Sequence, residues 1–314
     1  MIPVSVTVVV PVYNSAATLN ELAQRISQTL ASRVSSWEII LVNDGSQDES
    51  WRVICELGNQ YPEVRGLNLM RNYGQHSALL AGTQHGRYEV TVTLDDDLQH
   101  PPEEIPKLLE ELIQGYDIVY GRPAERSHSA SRNLSSKALK LILRLMVGEE
   151  IAEHSSAFRA FRTALRKGFD GFRGQPPSLD VLLSWSAQRV THVYVEHHPR
   201  REGHSGYTLR KLLVLALSML TGYSTLPLRF ASAVGLITSL FGLLMFLYQV
   251  IRRLFQSNYV PGFAFLASEI ALFAGLQLFA IGVIGEYLAQ VHVRSMGKPP
   301  YVVREEAGQY VLPE

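Results

Sequence analysis

Between Ala231 and Ile251 lie 21 consecutive residues without an Asp, Glu, Lys, Arg or His. At about 1.5 Å of rise per residue, a helix of that length spans roughly 30 Å, the thickness of a bilayer's hydrocarbon core. Hydrocarbon offers the backbone no hydrogen bonds, so a helix that satisfies its own amides is the form such a segment takes. A second apolar run, Phe263–Gly285, carries the single charge Glu269. The connector Arg252–Gly262 is 11 residues long and contains Pro261-Gly262, so the two runs are expected to form a transmembrane hairpin that returns the chain to its starting side. Arg210, Lys211, Arg229, Arg294, Lys298 and Arg304 flank that side, against Arg252 and Arg253 in the connector. The positive-inside rule then places both termini in the cytoplasm. Glu269 reads equally as an intramembrane functional charge or as one that reaches the headgroups or a second subunit.

The remainder is not membrane-like. Only 18% of the residues are charged, below the roughly 25% of soluble domains, which fits a water-facing part joined to a membrane part. The 29 basic and 29 acidic side chains cancel, which argues against a nucleic-acid partner. Cys55 is the only cysteine, so an intrachain disulfide and a cysteine-cluster zinc site are excluded. Met1–Asn14 lacks the basic start and cleavage site of a signal peptide, and its β-branched run reads as a buried strand.

Before residue 208, strand-like and helix-like runs alternate. Val4–Val12, Glu38–Val42, Val64–Asn68, Val90–Leu94 and Ile118–Tyr120 read as strands, and Thr18–Leu30, Ser50–Tyr61, Gln75–Gly86 and Pro102–Gln114 as helices. That alternation predicts an α/β domain with a mostly parallel sheet, whose ligands sit beyond the carboxyl ends of the strands.

Three strand ends carry chemistry. Val90–Leu94 runs into Asp95-Asp96-Asp97-Leu98-Gln99-His100-Pro101-Pro102-Glu103. Consecutive carboxylates repel one another, and a divalent cation with oxygen ligands offsets that repulsion. A solvated turn is the ordinary reading of such a triplet. The apolar strand before it and its place at a sheet mouth favour Mg²⁺ or Mn²⁺ bridging a diphosphate. Asn43-Asp44-Gly45-Ser46-Gln47-Asp48 reads as a turn with a left-handed glycine and Asp48 capping a helix, which leaves Asp44 free to meet a nucleobase or ribose. Pro11-Val12-Tyr13-Asn14 closes the first strand.

These three segments, with Arg71-Asn72-Tyr73-Gly74-Gln75-His76 and Gly285-Glu286-Tyr287-Leu288, resemble the signature of family 2 glycosyltransferases with the GT-A fold. The likeness is to their polyprenyl-phosphate branch, which includes dolichol-phosphate mannose synthase and the bacterial undecaprenyl-phosphate glucosyl- and aminoarabinose transferases. The resemblance implies a nucleotide-sugar donor, favouring UDP, a metal ion and an undecaprenyl phosphate acceptor at a bacterial inner membrane. It places Pro11, Tyr13, Asn14, Asp44, Arg71, Asp95 and Asp96 on the nucleotide, and Asp97 with Gln99 on the metal. Asp95 and Asp97, with Arg122, Arg132 and Arg159 around the phosphates, would form the catalytic set. Arg132, Ser156, Arg201, Ser205 and Tyr207 would hold the acceptor phosphate. The acid that some relatives carry before the aromatic of Phe158-Arg159 is Ala157 here, with Glu153 the nearest substitute.

His197 and His198 are adjacent and would point to opposite faces of a strand, so the run His197–Tyr207 reads as a basic phosphate loop rather than a zinc site. Lys137, Lys140 and Arg144 share one face of Leu134–Val147, either an ordinary surface helix or, as a lipid substrate favours, one resting on anionic lipid. Leu209–Leu220 is too short to span and is expected along the interface. The expected organisation is a catalytic domain over 1–207, an interfacial segment over 208–228, a hairpin over 229–288 (spans 231–251 and 263–285) and a cytoplasmic tail over 289–314. Small faces at Gly235, Gly242, Gly275, Gly282 and Gly285 predict spans that pack between subunits, and the resemblance implies a tetramer. Two alternatives fit less well. A processive polysaccharide synthase would need a Gln-x-x-Arg-Trp motif and more spans, and a non-catalytic flippase or scaffold would not need the intact acid triplet.

Overall fold

The computed structural model describes residues 2–123, 155–174, 176, 178–198, 226–255 and 263–308. The chain divides into two compact units, Met1–Tyr207 with Gly297–Glu314, and Thr208–Met296.

The first unit is built on an eight-stranded sheet. Its strands are β1 (Ile2–Val12), β2 (Val34–Asn43), β3 (Val64–Leu69), β4 (Val90–Thr93), β5 (Ile118–Pro123), β6 (Arg159–Arg162), β7 (Val190–Val195) and β8 (Val303–Ala307), in the order β7-β5-β6-β4-β1-β2-β3-β8. β6 and β8 run antiparallel to their neighbours, while the β1–β2, β1–β4, β2–β3 and β5–β7 pairings are parallel. The expected mostly parallel sheet is therefore present.

Helices α1 (Leu19–Ala31), α2 (Ser50–Gln60), α3 (Gln75–His85), α4 (Ile105–Leu112) and α5 (Leu179–Ser184) cover it. On α1 the buried positions Leu19, Leu22, Ala23, Ile26 and Leu30 recur at helical spacing, so one stripe faces the sheet. The pleat of β1 sends Val6, Val8, Val10 and Val12 into one core and Val9 into another, with Ile40 and Val42 of β2. A core on each face leaves the loops at the strand ends as the place for chemistry. Register aligns those ends, since Val12 lies opposite Asn43, Asn43 opposite Asn68, and Val9 opposite Thr93.

Two differences from the sequence reading matter. It contains neither β6 nor β7, because Arg159-Ala160-Phe161-Arg162 lacks a strand-like alternation and owes its extended form to pairing between β4 and β5. The expected tail at 289–314 is not separate. After Gly297, in the left-handed region at φ 62°, the chain returns to the first unit and β8 adds to the edge of β3.

The second unit contains α6 (Leu226–Phe255) and α7 (Phe263–Ser295), each long and apolar enough to cross a membrane. Within the windows Leu228–Met245 and Leu272–Ser295, 6% and 0% of the residues are buried, so these are not core helices of a soluble fold. Both extend beyond the expected spans. Gly242 lies against the Phe273 ring, where a Cβ would come within 3.2 Å, whereas Gly235, Gly275, Gly282 and Gly285 have open space around them.

Candidate active site

At the carboxyl edge of the parallel strands lies an open cleft of about 270 Å³. It is lined by Pro11, Val12 and Tyr13 from β1, Asp44 after β2, Asn72, Gly74 and Gln75 after β3, and Asp95 and Asp96 after β4. Five residues expected on the nucleotide, Pro11, Tyr13, Asp44, Asp95 and Asp96, are thus brought together. Asn72, Gly74 and Gln75 were not among the expected site residues, although they stand in the run 71–76.

Asp44 is not free, as its sequence suggested. Its Oδ1 accepts the Tyr73 amide at 2.7 Å and its Oδ2 the Gly74 amide at 2.9 Å, so the carboxylate pins the loop after β3. Burial raises its pKa, and the two amides oppose that rise. Each oxygen keeps acceptor capacity toward the cleft. Gly45 explains why the loop approaches so closely. At φ +69° a side chain is disfavoured, and a Cβ would stand 2.5 Å from the Asn72 nitrogen.

The acid triplet is held as three different groups. Asp95 Oδ1 accepts Gln75 Nε2 at 2.7 Å. Asp96 Oδ2 accepts the Tyr13 amide at 3.1 Å, and its backbone carbonyl accepts the Thr18 hydroxyl at 2.7 Å. Burial raises the Asp96 pKa, against hydrogen bonds from Ser15 and Tyr13 and with the Asp97 charge. Asp97 Oδ1 accepts the Gln99 amide at 3.1 Å, and between them Leu98, buried, adopts φ 58°. A branched residue in the left-handed region is strained, and such strain collects where a fold must aim functional groups.

The donor set suits a cation held partly by its ligand. Among the described residues no three His, Cys, Asp or Glu side chains form a complete cage. Mg²⁺ typically takes one or two carboxylates and completes its shell with water and phosphate oxygens, which Asp97, Gln99 and a diphosphate could supply.

His100 packs between Phe158 and His197, at ring-centroid distances of 5.4 and 4.9 Å. Burial, with His197 beside it, pushes its pKa down to about 4. The His198 amide donates to the Gln99 carbonyl at 2.8 Å, fastening the end of the β7 segment to the acidic turn.

Arg159 departs from its expected place on a phosphate. It is 2% exposed, and its Nη1 is paired with Asp180 Oδ1. Its Nε donates to Thr93 Oγ1 at 3.2 Å, beneath the site rather than in the cleft. Asn14 also differs, because its Oδ1 accepts the Gln47 amide at 2.8 Å and its own amide donates to Ser46 Oγ at 3.0 Å, joining two loops. The Arg71 guanidinium stacks over Tyr73, 4.7 Å from the ring centroid. Ser156 Oγ accepts the Phe158 amide at 3.3 Å. Arg122 stands near the end of β5, opposite Tyr194, with His192 in its field. Arg132, Lys137, Lys140, Arg144, Glu153, Arg201, Ser205, Tyr207 and the segment Leu209–Leu220 lie outside the described residues.

Residues 7–169 match the family described as Glycosyl transferase family 2. Over 305 residues the chain is 35% identical to an undecaprenyl-phosphate 4-deoxy-4-formamido-L-arabinose transferase of Pectobacterium carotovorum, covering 96% of this chain and 93% of that one. It is also 35% identical over 301 residues to the transferase of that name from Pseudomonas aeruginosa, covering 95% and 89%. Among solved structures, glucosyl-3-phosphoglycerate synthase of Mycobacterium tuberculosis, in complex with Mn²⁺, UDP-glucose and phosphoglyceric acid, is similar in fold. The TM-score is 0.50 at 17% identity, over 69% of this chain and 78% of that one.

Proposed function

Because the chain belongs to glycosyltransferase family 2, we propose that it moves a single sugar, with inversion, from a UDP-sugar to undecaprenyl phosphate at the cytoplasmic face of a bacterial inner membrane. The observation that carries this reading is the extent of the likeness to undecaprenyl-phosphate transferases, 96% of the chain, which takes in the cleft and the apolar helices together. The exposed Tyr13 ring and the residual acceptor sites of Asp44 receive the nucleoside, and Asp95 the ribose or diphosphate. Asp97 and Gln99 hold Mg²⁺ or Mn²⁺, and a protein of the same fold holds Mn²⁺ with UDP-glucose. When bound, the ion neutralises charge on the departing diphosphate.

No general base is required. A phosphate monoester with its second pKa near 6 is largely a dianion at neutral pH and is already nucleophilic. The chain's task is to hold that phosphate in line with the anomeric carbon, which suits Arg122, Arg132, Arg201, Ser205 and Tyr207. β8 pairs with β3, so the segments before and after the two apolar helices belong to one folded unit, which supports an even number of crossings between them.

The test is direct. Purified protein, Mg²⁺ and undecaprenyl phosphate are incubated with UDP- and GDP-sugars, including the 4-deoxy-4-formamido-L-arabinose donor, and the glycolipid is weighed by mass spectrometry. One added sugar from one UDP donor is expected. A polymer, a preference for water-soluble acceptors, or no product from any donor overturns the reading.

A further inference from the structure

Asp95 reaches the cleft from the end of β4 and is steadied from two directions. On its own strand, Thr93 takes a hydrogen bond from Arg159 Nε at 3.2 Å and gives one to the Ala157 carbonyl at 2.7 Å. From the first turn of α3, Gln75 donates to Asp95 Oδ1 at 2.7 Å. The first of these supports rests on one ion pair, Arg159–Asp180, whose side chains are 2% and 11% exposed. Asp180 is fixed in turn. Its helix α5 is capped by Ser178, whose Oγ accepts the Val181 amide at 3.2 Å, and Tyr120 of β5 donates its hydroxyl to Asp180 Oδ1 at 2.7 Å. The pair therefore joins β4, β5, β6 and α5 beneath a single carboxylate.

A buried ion pair is weak evidence for stability, because apolar side chains of similar volume often serve as well. Its place under a ligand-facing acid supplies a different reason for it. Outer partners that orient the groups holding a metal or its ligand typically change affinity or activity by about 10–100-fold when removed. We infer that Asp180 is a positioning residue for the donor site, holding Arg159 so that Thr93 and the end of β4 present Asp95 to the metal–nucleotide complex. The inference rests on the nucleotide-sugar reading above.

The experiment measures UDP binding to the full-length protein in detergent by calorimetry, with and without Mn²⁺. For Asp180→Asn, UDP affinity in Mn²⁺ should fall by about tenfold or more, and metal-free UDP affinity should fall with it, because Asp95 meets the ribose or diphosphate rather than the metal. Asp180→Glu, which restores the carboxylate, should recover part of the loss. The double variant R159M/D180L removes both charges and leaves no buried ion unpaired; only the Tyr120 hydroxyl loses its acceptor, so it should melt within a few degrees of the wild type and still bind Mn²⁺–UDP weakly. If Asp180→Asn or the double variant binds Mn²⁺–UDP as the wild type does, the pair is packing only and the inference is overturned alone. If the wild type binds UDP no more tightly with Mn²⁺ than without, the metal–nucleotide reading falls and takes the inference with it.

Discussion

Asp44 offers the sharpest separation between a residue that touches a ligand and one that builds the site. Asp44→Asn keeps the shape but turns one of its two acceptors into a donor, so either the Tyr73 or the Gly74 amide loses its partner. Leaving a buried donor unsatisfied costs about 1–3 kcal/mol. Against this, Asn avoids the desolvation that raises the Asp44 pKa, which brings the expected net loss to about 1–2 kcal/mol. For a unit of this size that corresponds to a melting temperature lower by about 2–8 °C. The assay is intrinsic fluorescence in detergent. All three tryptophans, Trp37, Trp51 and Trp185, lie in the first unit, so the signal follows the catalytic sheet and not the apolar helices. UDP affinity should fall in parallel, because the displaced loop carries Asn72, Gly74 and Gln75 into the cleft. An Asp44→Asn variant that melts with the wild type and binds UDP equally would refute the pinning role.

Asp97→Ala should abolish transfer while the protein still folds, and excess EDTA should abolish transfer by the wild type; full turnover in either case contradicts the metal assignment. The neutral imidazole of His100 favours the folded state, since burial, then His197, pushes its pKa from 6.5 to about 4. That contribution is whole above pH 6.5 and is lost as pH falls through about 4, at most about 3 kcal/mol in total. The stability difference between wild type and His100→Asn should shrink across that window, as a denaturation series from about pH 7 to pH 4 would report; a constant difference counts against the assignment. If the spans pack between copies, mass measurement in nanodiscs should give a multiple of 35.1 kDa, and a fully active monomer would exclude it.

Much of the fold was legible because its parallel strands are buried on both faces and read as apolar runs. Val4–Val12 and Val90–Leu94 need no partner to be recognised. The place of the acid triplet at the mouth of the sheet was legible for a related reason, since it directly follows such a run. β6 and β8 were not legible. Arg159-Ala160-Phe161-Arg162 and Val303-Arg304-Glu305-Glu306-Ala307 have little of a strand's composition, and they are extended because a distant edge demands it. The family resemblance places Arg159 on a phosphate, whereas the fold pairs it with Asp180. Asp180 lies 21 positions away on a short helix, and nothing in the local sequence pairs the two.

These late strands carry a division of labour. The parallel strands β1, β2 and β4, together with the turn after β3, present the groups that line the cleft, whereas the antiparallel β6 and β8 carry side chains that brace them from behind or from the edge. Arg159 of β6 reaches Thr93 under Asp95. On the other flank, Glu305 of β8 accepts Asn68 Nδ2 at 2.7 Å, and Asn68 Oδ1 accepts Asn43 Nδ2 at 2.8 Å, a relay that ends one residue before Asp44. Arg304 of the same strand donates to the Met70 carbonyl at 3.2 Å, at the start of the loop that Asp44 pins. The segment that follows the two apolar helices is therefore a structural support of the Asp44 end of the cleft. The chain must pass through both apolar helices before that relay can close, so this edge of the cleft is complete only once the residues after them have joined the sheet.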